Sequence, residues 1–172
     1  GSEMKIGSNA TGFYVKDSTG TINVNAAISL ADSTTGTTIG FYSDGNAKVN
    51  FGTGSSLTIG KGSVGLYSSD GEKFNNTFNI KTGENLDVIL GENAALGFLS
   101  GNVNSPLLSK YLNNNLNGKI NLTSFGKGAT LFYTNSNGNA ILDEDYTITN
   151  GDAESTSVLV ANDGSTVEIA SG

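Results

Sequence analysis

Every 25 to 33 residues the chain restarts the same short phrase. The restarts are Gly12-Phe13-Tyr14, Gly40-Phe41-Tyr42, Gly65-Leu66-Tyr67, Gly97-Phe98-Leu99, Thr130-Leu131-Phe132 and Val158-Leu159-Val160. A period of this size marks a solenoid, a propeller or an array. One such unit cannot bury its own apolar face, so it must stack on its neighbours. The repeat therefore constrains the architecture before any single residue is weighed.

The repeat runs nearly end to end. We read one unit over residues 5–172, with residues 1–4 as an expression scar or linker. Gly, Asn, Ser and Thr dominate, and the single proline is Pro106. Disorder is excluded because 36% of residues are apolar and fall in short patterned clusters. The balance of 9 basic and 16 acidic residues gives a net charge of −7, with no Arg. Such a chain lacks the guanidinium fork that reads phosphate or guanine, and it repels polyanions. Nucleic acid and anionic membrane are poor partners. No apolar run approaches the length of a transmembrane helix.

The second copy shows the unit most clearly. Thr38-Ile39-Gly40-Phe41-Tyr42, Lys48-Val49-Asn50-Phe51 and Ser56-Leu57-Thr58-Ile59 alternate apolar with polar, the period of a strand with one buried face. Asp44-Gly45, Gly52-Thr53-Gly54 and Gly60-Lys61-Gly62 separate them as turns. Hairpins would pair each strand with the next in sequence. A parallel coil would pair each with its counterpart one repeat later, stacking like on like, and this fits the repeat better. The expected fold is all-β: a right-handed parallel β-helix with three strands per coil and about six coils. Alternation points Ile39, Phe41, Val64, Leu66, Leu96, Phe98 and Leu131 inward, and Gly40, Tyr42, Asn50 and Thr58 outward. Ile120-Asn121-Leu122 is read as a second strand of the unit, like Lys48-Val49-Asn50-Phe51.

Residues 101–118 break the rhythm. Ser105 suits an N-cap, Pro106 the first helical position, and Gly118 the end. Leu108, Tyr111, Leu112 and Leu116 then share one face. A short helical insertion is expected here, with Leu107, Tyr111 and Leu116 on it as candidate ligand contacts.

The Gly-apolar-Tyr opening, the Asp-Gly or Asn-Gly turn, strands such as Thr21-Ile22-Asn23-Val24 and Lys119-Ile120-Asn121-Leu122, and the closing Ile59-Gly60-Lys61-Gly62 resemble a known repeat style. They are similar to the passenger-domain β-helix repeats of type Va bacterial autotransporters, in the manner of the large fusobacterial outer-membrane adhesins. The resemblance implies a passenger fragment at the cell surface of an outer-membrane bacterium. It implies attachment to host cells or other bacteria through a surface protein or glycan, without direct membrane contact by this fragment. A non-binding stalk, or a polysaccharide-acting β-helix enzyme or tailspike, are the alternatives. A coil cut from a longer one also exposes its ends, so end-to-end stacking is expected.

Catalysis finds little footing. Without His or Cys the Ser-His-Asp and Cys-His arrangements are impossible, as are zinc sites built on those ligands. No enzyme activity and no cofactor are expected. Asp143-Glu144-Asp145 is the densest acidic cluster, and reads as a solvated turn, a weak calcium site or a catalytic pair. Gly60-Lys61-Gly62 and Gly126-Lys127-Gly128 lack the spacing and following helix of a phosphate loop. A column of Asn23, Asn50, Asn79 and Asn121, continued by Asp143 and Glu168, reads as an amide ladder or a glycan contact. The position after the inward Phe or Leu carries Tyr14, Tyr42, Tyr67, Leu99, Phe132 and Val160. The first five of these are candidate ligand contacts on an outward stripe; the alternative is that the stripe only covers the sheet.

Overall fold

A computed structural model describes residues 1–16, 19–44, 48–68, 78–81, 83–100, 119–135, 139–142, 157–161 and 166–169. Those residues form sixteen strands and no helix. β1 (Ser2–Ile6), β4 (Ala26–Leu30), β7 (Ser56–Ile59), β10 (Asn85–Leu90) and β12 (Lys119–Phe125) make a first sheet, in that order. β2 (Thr11–Lys16), β5 (Ile39–Asp44), β8 (Val64–Ser68), β11 (Ala95–Ser100), β13 (Thr130–Asn135) and β15 (Ser157–Ala161) make a second. A third holds β3 (Thr21–Val24), β6 (Lys48–Phe51) and β9 (Phe78–Ile80), and β14 (Asn139–Leu142) pairs with β16 (Thr166–Ile169). Every pairing is parallel. Among the described residues no strand pairs with its neighbour in sequence. The hairpin alternative is thereby removed, and the arrangement is β-helix-like.

The three sheets enclose one core. Ile28, Leu30, Leu57, Ile59, Leu86, Val88 and Leu90 come from the first sheet, Phe41, Leu66, Leu96 and Leu131 from the second, and Val49, Phe51 and Ile80 from the third. Phe41 is 1% exposed, stacks on Phe13 at 4.6 Å between centroids, and meets Phe51 edge-on at 5.5 Å.

Turns between the first and second sheets stack as regularly as the strands. In Gly60-Lys61-Gly62-Ser63, Gly91-Glu92-Asn93-Ala94 and Gly126-Lys127-Gly128-Ala129 the fourth N–H donates to the first carbonyl, at 3.1, 3.2 and 3.0 Å. The third residue lies in the left-handed region, with φ of 65° at Gly62, 53° at Asn93 and 68° at Gly128. Glycine and asparagine enter that region most readily, so their recurrence has a backbone cause. Successive turns also bond each other: the Gly62 N–H donates to Glu92 O at 2.9 Å, and the Asn93 N–H to Lys127 O at 2.8 Å.

Three expectations about faces need correction. Simple alternation fails in the second sheet, where two consecutive positions face the core. A Cβ on Gly40 would lie 3.4 Å from Leu30 Cδ1, and one on Gly65 would lie 2.6 Å from Ile59 Cδ1, so these glycines point inward. Their neighbours Phe41 and Leu66 are buried as well. Ile39 and its register partner Val64 lie on the outer face instead, Ile39 half-buried and Val64 buried, and Phe98 is half-buried there as well. Finally, Ile120-Asn121-Leu122 belongs to the first sheet. Asn121 pairs with Asp87, and its Nδ2 donates to Asp87 Oδ1 at 2.8 Å. In the third sheet the amide ladder is present: Asn50 Nδ2 donates to Asn23 Oδ1 at 3.1 Å, and Asn79 is next in register. Ile141, not Asp143, is the register partner of Glu168. The expected helix at 101–118 lies outside the described residues.

Candidate binding groove

The outer face of the second sheet carries a continuous ring column. Register pairing runs Tyr14–Tyr42–Tyr67–Phe98–Tyr133 and on to Val160. Successive ring centroids are 4.9, 4.8, 5.2 and 4.9 Å apart. From Tyr42 onward the planes are within 16° of parallel. The spacing is the distance between neighbouring strands, so the backbone ladder dictates the ring ladder. Tyr14 ends the column and is 56% exposed.

Of the candidate contacts, Tyr14, Tyr42 and Tyr67 therefore stand together as expected. Leu99 and Phe132 do not belong to the column. Leu99 pairs with Ser68 and Thr134, and Phe132 with Gly97 and Leu159. The reason is a swap of side-chain size. Coils two and three place Gly then a large residue at the paired inward positions: Gly40-Phe41 and Gly65-Leu66. The next coil places Leu96 then Gly97 there. Gly97-Phe98 thus imitates Gly40-Phe41 while sitting one position later. Phe98 and Tyr133 were missed by the repeat reading for this reason. The dipeptide Phe132-Tyr133, aligned directly on Phe41-Tyr42, carries the signal that finds the second of them. Leu107, Tyr111 and Leu116 lie outside the described residues, as do Asp143, Glu144 and Asp145.

Beside the column runs a groove of about 650 Å³. Tyr42, Tyr67, Phe98 and Tyr133 form one wall. The floor is a second register column of Ile39, Val64, Ala95 and Thr130. The opposite wall is the stacked turns, through Thr37, Gly62, Ser63 and Asn93. These turns are braced from behind: Ser63 Oγ donates to Ala31 O at 2.8 Å, and the Thr38 N–H donates to Ser33 Oγ at 2.9 Å. None of the described groove-lining residues is charged. The nearest ion pair, Lys61 Nζ to Glu92 Oε2 at 2.9 Å, sits outside on the turns with both side chains about half exposed.

Chemically the groove offers an apolar floor and scattered hydroxyls. Among the described residues no three His, Cys, Asp or Glu side chains converge on a point that could hold a metal. No helix among them is long and apolar enough to cross a membrane. Compared with known proteins, the chain matches no protein-family model, no curated protein and no solved structure.

Proposed function

We propose that this chain is a segment of a bacterial cell-surface passenger domain of the autotransporter type, and that it mediates attachment to host cells or other bacteria through the lateral face of its coil. In this reading the β-helix is right-handed, has about six coils, and carries a short helical insertion at 101–118. The observation that carries the reading is the groove. It is an uncharged, partly apolar trough set along the stacking direction of a regular coil, flanked by half-buried aromatic rings. Exposed apolar area of this kind is a feature of interaction sites. The repeat style supports the cellular setting.

Beads coated with the purified chain are expected to capture bacterial or host cells. Beads coated with a Tyr67→Ala, Phe98→Ala variant are expected to capture few. Equal capture by both would move the site off the groove. No capture by either would favour the stalk, a reading supported by the parallel pairing that links successive coils.

A further inference from the structure

The groove's geometry says what kind of molecule it fits. The rings of Tyr67 and Phe98 are each stacked on both sides, by Tyr42 and Phe98 and by Tyr67 and Tyr133. Their faces are therefore spent on one another, and the groove beside the column meets their edges. An aromatic edge is the positive part of the ring quadrupole, and it attracts the negative face of another π system. A sugar needs the opposite partner, an open ring face for its C–H groups. Four ring edges in a row offer a sugar little and a flat aromatic molecule a repeated edge-to-face contact.

Size and charge narrow the class further. The wall from Tyr42 to Tyr133 spans steps of 4.8, 5.2 and 4.9 Å, so its occupant is roughly 15 Å long. Along the floor column, Ile39 carries the largest side chain and Val64, Ala95 and Thr130 carry smaller ones. A charged ligand would lose water without gaining a partner, because none of the described lining residues is ionic. An anion would in addition face a chain of net charge −7.

We propose that the groove of β5, β8, β11 and β13 is a binding site for a neutral, flat, elongated aromatic molecule, seated along the coil axis with its π face on the edges of Tyr42, Tyr67, Phe98 and Tyr133. The proposal deepens the attachment reading, since it names the chemistry of the same groove, yet it stands or falls by a different measurement.

The probe is 2-(4-aminophenyl)benzothiazole, a neutral aromatic rod, titrated into the folded chain and followed by its fluorescence. Thioflavin T, a cationic rod of the same shape, and cellotetraose, a neutral linear sugar, are the comparison ligands. Saturable binding of the neutral rod, tighter than that of either comparison ligand, is expected. Phe98→Ala removes one edge contact and should weaken it roughly three- to tenfold. Ala95→Leu fills the floor without touching a ring and should abolish it; Thr130→Leu repeats that test should Ala95→Leu fail to give the parent far-UV CD spectrum. Unchanged affinity in a folded floor-filled variant overturns the proposal, and so does tighter binding of the cation or the sugar. A chain that captures cells but not the rod sinks this inference and leaves the attachment reading. A chain that binds the rod but captures no cells does the reverse.

Discussion

A methyl group on Gly65 would sit 2.6 Å from Ile59 Cδ1 and 3.0 Å from the Leu96 carbonyl oxygen. The buried Ile59 side chain would have to turn its Cδ1 aside, and the Leu96 carbonyl is backbone and yields only if the strand shifts. Gly65→Ala is expected to cost about 1–3 kcal/mol in urea denaturation, the usual range for an overfilled core. Ile59→Val deletes the offending Cδ1, so the double variant should recover part of that loss rather than add to it. Phe41→Ala tests the opposite fault. It opens a void between Phe13 and Leu66, its register partners, and should cost about 3–5 kcal/mol. Tyr42→Ala, on the half-buried outer face, should cost clearly less. At this scale the sequence was misleading for a definite reason. Gly40 was read as outward because strands alternate, and alternation breaks where the strand bends so that Gly40 and Phe41 both face the core. A residue without a side chain gives no apolar signal, so its inward direction was invisible until Leu30 and Ile59 were placed opposite it.

At the scale of elements, strands and turns were legible because each is specified locally and then repeated. Apolar alternation in Leu86-Asp87-Val88 and Leu57-Thr58-Ile59 marked the first sheet correctly, and both strands bury those apolar residues. What local pattern could not fix was which sheet Lys119-Ile120-Asn121-Leu122 would join. The sequence resembles β6, yet β12 stacks on β10. The turns offer a sharper test. Asn93 holds φ of 53° while its side chain bonds only the neighbouring Glu92, at 3.3 Å. Asn93→Gly should therefore be neutral to within about 0.5 kcal/mol, and Asn93→Ala should cost about 1–2 kcal/mol for the left-handed backbone. Asn9 has nearly the same φ, 59°, and a different job. Its Oδ1 accepts the N–H groups of Thr34 and Gly36 at 2.9 and 3.0 Å, and its Nδ2 donates to Thr34 Oγ1 at 2.7 Å. It ties down the longer turn of the next coil. Asn9→Gly keeps the backbone but drops those bonds, so a loss of about 1–2 kcal/mol is expected where Asn93→Gly shows none.

The whole molecule behaves as a stack in one dimension. β1 pairs only with β4 and β2 only with β5, whereas β5 and β8 are flanked on both sides. In native-state hydrogen exchange the amides of β5 and β8 should be the last to exchange, and those of β1 and β2 should exchange earlier. Uniform protection from β2 to β11 would show that the coils unfold all together. The far-UV CD spectrum should be that of a β protein and should not change on adding EDTA. A loss of signal on chelation would reveal a structural metal that the described residues do not account for. The general architecture was the most legible level of all, because a period survives errors in any one copy. The candidate groove was only half legible. Two of its four ring positions, Tyr42 and Tyr67, follow from the repeat, but its other wall is made of turns, whose contribution depends on backbone stacking that no residue pattern announces.

The exchange of Gly40-Phe41 and Gly65-Leu66 for Leu96-Gly97 has a genetic consequence. Repeat arrays grow and shrink when recombination joins one copy to another. A crossover that joined the codon of Gly65 to that of Gly97 would leave a coil with no side chain at either inward position. The reciprocal product, Leu96 followed by Leu66, would crowd two into space that holds one. Both offspring carry a damaged core although each parent copy is sound. Neighbouring copies that look interchangeable are thus incompatible at this junction, whereas the copies carrying Gly40-Phe41 and Gly65-Leu66 remain compatible with each other.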